Sequence, residues 1–232
     1  MKQKKYFFIT WLLSIVGAWS VIPYILELGV LPSTISLPKL MLLGTGQVAL
    51  FFGLICWLSS LILPKTDLHP FTATEPLKRI VYPGLIWGIV VGLVIFFTNK
   101  WVFGNSLIVD TNPPVWIGAL ASFYGAFNEE ILLRLFLFSL LYLSVCKYCK
   151  VPPRNKVQAL WTVNILVALI FGVAHLPVAF QLSTPTAVEI FRIIFLNAVG
   201  GVVFGWLYWS RSLWTAMFAH FVADLMLHVF LA

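Results

Sequence analysis

Glu129, Glu130 and Arg134 interrupt an otherwise apolar run from Val115 to Val145, in the stretch Asn128-Glu129-Glu130-Ile131-Leu132-Leu133-Arg134. A run of that length reads as a membrane span, where charges of this kind each cost about 2.5–3.5 kcal/mol at the helix centre. They persist there only if they pair or face an internal cavity. Glu130 and Arg134 stand four apart, one turn along the same helix face, and can form an ion pair. Glu129 is rotated about 100° from Glu130, where Arg134 serves it less well. One carboxylate therefore has a partner, and the other is the candidate for chemistry.

The remaining ionisable residues inside apolar runs are Glu27, His175, His220, Asp224 and His228. All but Glu27 lie in the C-terminal part of the chain, and intramembrane ionisable groups need one another as partners. His220 and Asp224 are one turn apart. The carboxylate can bond one imidazole nitrogen, fix its tautomer and aim the other nitrogen elsewhere. His228 continues that face one turn further and reads as a residue near the membrane surface. His175 closes Phe171-Gly172-Val173-Ala174-His175 just before Pro177. Such a position is more often interfacial than functional, but the His220–Asp224 pair raises its standing.

A glutamate with two histidines supports two chemistries. Glu129, His175 and His220 could hold a divalent metal such as zinc, whose bound water is the nucleophile. Alternatively Glu129 acts as general base on a water, while the histidines stabilise the oxyanion or protonate the leaving amine. No His-Glu-x-x-His motif is present, so the common zinc-protease helix is absent.

The elements that must carry these residues follow from composition. Of 232 residues, 61% are hydrophobic and only 10% charged, against about 25% charged in a soluble domain. The expected fold is all-α: one polytopic membrane domain over 1–232 of about seven transmembrane helices, with an intramembrane catalytic cavity and the core motifs in 115–232. The spans fall near 6–30, 40–63, 80–103, 115–145, 158–176, 190–209 and 213–232. Turn chemistry at Leu31-Pro32-Ser33-Thr34, Pro64-Lys65-Thr66-Asp67, Asn112-Pro113-Pro114 and Pro152-Pro153-Arg154-Asn155 separates some of them. The first span begins like a signal peptide, yet its apolar run is too long for one and reads as uncleaved.

With the N-terminus inside, eleven basic residues are cytoplasmic (Lys2, Lys4, Lys5, Lys65, Lys78, Arg79, Lys147, Lys150, Arg154, Lys156, Arg211) and three are not (Lys39, Lys100, Arg192). That asymmetry favours a cytoplasmic N-terminus and an external C-terminus. The same clustering makes the net charge of +7 a juxtamembrane feature; the lipid bilayer is the expected partner and nucleic acid is not. Cys146 and Cys149 read as two unlinked thiols at a helix end rather than a zinc or redox site. Gly84, Gly88 and Gly92, and again Gly201 and Gly205, recur at intervals of four, marking close helix approach. Helix rise sets a difficulty. It puts His175 far from the cytoplasmic end of its span and His220 near the cytoplasmic end of its own. Either the fifth span starts deeper than drawn, or the seventh is longer or offset.

Glu129-Glu130-x-x-x-Arg134, Phe171-x-x-x-His175 and His220-x-x-x-Asp224, in that order on three apolar spans, resemble the CPBP family of intramembrane proteases, which includes CAAX prenyl endopeptidases and bacteriocin-processing or immunity (Abi) proteins. The resemblance covers the C-terminal half. It implies a helical bundle with a conical cavity and proteolysis by a water activated at Glu129. Glu130 and Arg134 would be structural support, and His175, His220 and Asp224 would complete the catalytic set. Many relatives carry Asn where this chain has Asp224, and an ionised Asp cannot donate to an oxyanion. Orienting His220, or being protonated, suits Asp224 better. The family has been described as metal-dependent and as glutamate-type; the cofactor-free glutamate type is the expectation here. A peptide or lipidated peptide is the expected substrate and a bacterial plasma membrane the expected location. A non-catalytic immunity or scaffolding protein is the main alternative, ahead of an ion-coupled transporter.

Overall fold

The computed structural model describes residues 2–30, 35–71, 76–104 and 113–231, with side chains described from Lys5 onward. The expected loops at Leu31–Thr34 and at Asn112 lie outside these residues. Among the described residues the chain is helical without strands: α1 (Lys2–Glu27), α2 (Leu37–Ile62), α3 (Leu77–Val102), α4 (Val115–Tyr148), α5 (Lys156–Ala174), α6 (Leu176–Leu182), α7 (Ala187–Ser210) and α8 (Leu213–Phe230). Seven stretches are long and apolar enough to cross a membrane, α5 and α6 counting as one 30-residue stretch from Pro153 to Leu182. In hydrocarbon every backbone N–H and C=O must be satisfied within the protein, so long apolar runs fold as helices. The outward faces stay apolar, with Leu42, Leu50, Trp101 and Val188 largely exposed, as a surface that meets acyl chains should be.

Small residues set the packing. α3 lies against α8 through its three spaced glycines; a Cβ on Gly88 would stand 2.6 Å from both the Ala219 carbonyl oxygen and Val222 Cβ. α5 and α7 meet the same way, a Cβ on Gly172 falling 2.4 Å from the Ile194 carbonyl oxygen and one on Gly201 falling 3.0 Å from Ala168 Cα. α1 packs between α2 and α4. The centre of the bundle is filled by Ile131, Leu135, Phe138, Val163, Val167 and Leu207, all essentially inaccessible. Thr186 opens α7 with a reciprocal cap to Glu189, and Ser212 opens α8 by accepting from Thr215 N at 3.2 Å.

Two departures from regular helix position the site. α4 is wound as π-helix, with bonds running i→i+5, over Gly125–Glu129 and again over Ile131–Phe138. Such bulges are frequent at functional sites. The second departure is the α7–α8 turn, whose second half is recessed although Ser210 and Arg211 stay exposed. Ser212 and Leu213 are wholly buried, and Leu213 N donates to the Pro70 carbonyl at 3.0 Å. The segment from Thr66 to Phe71 thus lies over the start of α8, and Asp67 fastens it, accepting from Tyr142 Oη at 2.9 Å and from Lys156 Nζ. Burial alone would raise the Asp67 pKa; the hydrogen bonds from Lys156 and Tyr142 outweigh it and hold the carboxyl below its usual value. A covered, recessed start to α8 carries His220 deeper than span ends suggest. That is how it comes level with His175.

Candidate active site

Glu130 is buried completely and is used twice. Its Oε2 lies 3.4 Å from Arg134 Nε, and its Oε1 accepts from His220 Nδ1 at 2.9 Å. Arg134, equally buried, donates from Nη2 to the Gly201 carbonyl at 3.2 Å and sets its guanidinium 5.5 Å from the centre of the Phe171 ring. The contact between the two charges is an ion pair without a directed hydrogen bond, since Glu130 Oε2 and Arg134 Nε and Nη1 bond nothing. Its work is neutralisation: each group cancels the other's charge inside the bundle. The i,i+4 pairing expected from spacing is present.

Glu129, on the adjacent face of α4, makes no such bond. Its side chain keeps 22% of its surface accessible. The two imidazoles close on it from separate helices: His175 Nε2 is 4.0 Å from Oε1, and His220 Nε2 is 3.7 Å from Oε2. Neither contact is a direct hydrogen bond, and polar gaps of this size are those a water bridges. Each ring is fixed through its other nitrogen. His175 Nδ1 lies 2.9 Å from the Phe171 carbonyl, at the joint between α5 and α6. His220 Nδ1 bonds Glu130, while its ring stacks on Phe204 at 4.5 Å between centroids. Both Nε2 atoms are thereby aimed at one carboxylate.

The orienting partner of His220 differs from the sequence reading. Asp224 Oδ1 stands 3.7 Å from Nε2, beyond hydrogen-bonding distance, and it is Glu130 that sets the tautomer. The i,i+4 relation put Asp224 within reach of the ring but could not say which nitrogen faced it. Asp224 Oδ2 sits where a Cβ on Gly125 would fall, 2.4 Å from it, so the bare Gly125 makes room for the carboxylate. His228 stays apart from the Glu129 cluster: its ring meets Tyr24 edge-on at 5.7 Å, and its backbone presses on Gly118. Glu27 is exposed near the end of α1. Among the described residues no set of three His, Cys, Asp or Glu side chains is already arranged as a metal-binding group.

Glu129 and His175 stand in the wall of a cavity of about 740 Å³ between α1, α2, α6 and α7. Ile22, Ile25, Leu28, Leu43, Val178 and Leu182 make its lining mainly apolar, and Tyr24 and Tyr124 are among the few polar groups. Sequence reasoning missed Tyr124, because an α-helix puts residues five apart on different faces and the π-winding between Tyr124 and Glu129 left no mark in the sequence. It also quoted Asn128 without assigning it a task. The buried Asn128 Nδ2 donates to the Ser14 carbonyl at 2.9 Å, and its Oδ1 occupies the space a Cβ on Gly17 would need. α1 is thereby tied to the residue beside Glu129.

Residues 111–226 match the family model described as type II CAAX prenyl endopeptidase Rce1-like. No curated protein and no solved structure matches the chain.

Proposed function

This chain belongs to the Rce1-like family of type II CAAX prenyl endopeptidases, and from that premise we propose that it cleaves a lipidated peptide with a water activated by Glu129. Membership makes it an integral-membrane protease of the CAAX type, acting on peptides in the membrane. The observation that carries the finer reading is the placing of Glu129: a partly accessible carboxylate between two imidazole Nε2 atoms, at the wall of an apolar cavity.

In this reaction a water bound beside Glu129 gives up a proton to the carboxylate as its oxygen attacks the scissile carbonyl carbon. The C–O bond forms, and the carbonyl oxygen becomes an oxyanion. The proton then passes from Glu129 to the leaving nitrogen as the C–N bond breaks. His175 and His220 hold the water in line. Glu130 and Arg134 hold His220, and with it the floor of the site. The apolar walls of α1, α2 and α6 suit the hydrocarbon attached to a peptide better than a polar side chain. We place the end bearing Lys65, Lys147, Lys156 and Arg211 at the cytoplasmic face, on the excess of basic residues there.

The test is turnover of a quenched fluorogenic peptide carrying a farnesylated cysteine near its C-terminus, with the same peptide lacking the lipid as comparison. Glu129→Gln, His175→Ala and His220→Ala should each abolish cleavage while the proteins still insert. Full turnover by Glu129→Gln would end the proposal. Loss of activity to a strong chelator, restored by zinc, would move activation of the water from Glu129 to a metal.

A further inference from the structure

The Glu129 cavity occupies one half of the bundle, and most of the basic residues stand at the end of the other. Successive spans alternate in direction, so their ends fall into two groups. One group holds the passages from α2 to α3, from α4 to α5 and from α7 to α8, together with the start of α1. Lys65, Lys78, Lys147, Lys156 and Arg211 belong to this basic end. At the opposite end α1 passes to α2, α3 to α4 and α6 to α7, beside Lys39, Lys100 and Arg192.

The cavity walls come from the half opposite the basic end. α1 contributes residues between Ala18 and Leu28, α2 residues between Leu40 and Val48, and α7 Ile193 and Asn197. Each stretch lies in the part of its helix away from the basic end, and so does the whole of α6. Glu129 itself is nearer the start of α4 at Val115 than its end at Tyr148. From Ala18 to Leu28 the wall is about 15 Å long, half of a hydrocarbon core about 30 Å thick. The cavity therefore runs from one membrane surface to about the middle.

Toward the basic end the bundle is packed. Ile131, Leu135, Phe138 and Leu207 are inaccessible there. Beyond them the Thr66–Phe71 segment covers the start of α8, held by Leu213 N on the Pro70 carbonyl and by Asp67 between Tyr142 and Lys156. A peptide coming from that side would have to unpack these layers. The opposite half is open: Leu43 and Val178 line the cavity yet are 58% and 42% exposed, and Gln47 is exposed as well. The excess of basic residues puts the packed end in the cytoplasm. The open end faces away from it.

We infer that the site takes its substrate from the non-cytoplasmic side, as a lipidated peptide held in the outer leaflet. This rests on the reading of the cavity as the place where such a peptide is cut. The lipid lies along the apolar walls of α1 and α2, and the peptide meets Glu129 from the external half. Glu129 is the one carboxylate among the lining residues, and no Lys or Arg stands with it. A charged substrate side chain drawn in beside it would lose water without gaining a partner, so the residues flanking the scissile bond are uncharged.

Sidedness is read in membranes holding the full chain. Spheroplasts of expressing bacteria present the non-cytoplasmic face, and sealed inverted vesicles present the cytoplasmic one. A membrane-impermeant maleimide is applied to Gln47→Cys, Val178→Cys and Lys39→Cys, each in a Cys146→Ser/Cys149→Ser parent whose buried Cys56 sets the background. The exposed native Cys149, with Cys146→Ser, marks the basic end. Gln47→Cys, Val178→Cys and Lys39→Cys should label in spheroplasts and be spared in inverted vesicles, and Cys149 should do the reverse. Labelling of the two cavity cysteines from the cytoplasmic face, from both faces or from neither overturns the inference. The farnesylated fluorogenic peptide, given a highly charged tail that keeps it in the leaflet to which it is added, should be cut by spheroplasts. Inverted vesicles should cut it after detergent opens them; cutting while they are sealed overturns the inference. Membranes that cut nothing in either orientation or in detergent defeat the parent reading, and the labelling still decides which face the cavity meets.

Discussion

Glu130→Gln tests whether the two adjacent carboxylates divide their labour. The substitution keeps volume, and the amide oxygen can still accept from His220 Nδ1, which now lies 2.9 Å from Glu130 Oε1. It removes the negative charge that lies 3.4 Å from a guanidinium with no access to solvent. Arg134 would retain one directed bond, to the Gly201 carbonyl, which cannot cancel a full charge. Stranding one member of a buried ion pair costs about 3–5 kcal/mol, and Coulomb's law at 3.4 Å with an effective dielectric near 20 gives about 5 kcal/mol. For a chain of this length about 2–4 °C is lost per kcal/mol, so Tm should fall by about 6–20 °C. Glu129 has no hydrogen bond to a described residue and keeps access to the cavity. Glu129→Gln should therefore lose activity and shift Tm by less than about 4 °C, under about 1 kcal/mol. The assay is tryptophan-detected thermal unfolding in detergent beside peptide cleavage. A double variant, Glu130→Gln with Arg134→Met, should be more stable than the sum of the single losses predicts, because it removes both charges together. Additive losses in that cycle, or a Tm for Glu130→Gln equal to the parent's, would refute the assignment of Glu130 and Arg134 to the scaffold.

Two further outcomes follow from the packing and from the surface clamp. Gly88→Ala should destabilise the bundle by about 1–3 kcal/mol by prising α3 from α8, where the added carbon meets backbone at 2.6 Å; Gly46→Ala, with no atom within 4 Å, should be neutral or gain up to about 1 kcal/mol, and equal effects in thermal unfolding would contradict this packing. Asp67 has its folded pKa held below its usual value, so its contribution is present above about pH 4, near the unfolded carboxyl pKa, and is lost as pH falls through the folded value. The Tm of Asp67→Asn should accordingly change less than the parent's between pH 5 and pH 3, and parallel curves would remove Asp67 from the clamp.

Much of the site was legible because an apolar sequence makes charged residues conspicuous. The i,i+4 spacing of Glu130 and Arg134 was enough to read their pairing, and Glu129 stood out by lacking one. Glycine spacing marked faces of α3 and α7 for close helix approach; that their partners are α8 and α5 came only from the fold. The level of His175 relative to His220 was not legible. Depth was counted from span ends, and the α7–α8 turn lies beneath the Thr66–Phe71 segment through a bond from Leu213 N to Pro70 O, a long-range contact that leaves no local pattern. That Asp224 makes no hydrogen bond to His220 has a related reason. Spacing shows which residues share a helix face, whereas the nitrogen that a ring turns toward a neighbour is decided by partners on other helices, here Glu130 on α4 and Phe204 on α7.

The winding of α4 explains how neighbours in sequence come to live in different surroundings. Glu130 turns inward to Arg134 and His220 and is sealed off, while Glu129, one residue earlier, opens on the cavity. Regular α-helix would already separate them by about 100°; what the π-turns add is the placing of their neighbours. Between Tyr124 and Glu129 the wider turn brings a phenol toward the face that carries Glu129. On the next residue back, Asn128 reaches across to Ser14 and Gly17. α1, which lies outside the span matched by the family model, is thus both a wall of the cavity and a brace for the helix that carries Glu129. A charge held in lipid must be neutralised, hydrated or put to use. In α4 the first solution is spent on Glu130, which leaves Glu129 open to the cavity beside the two histidines.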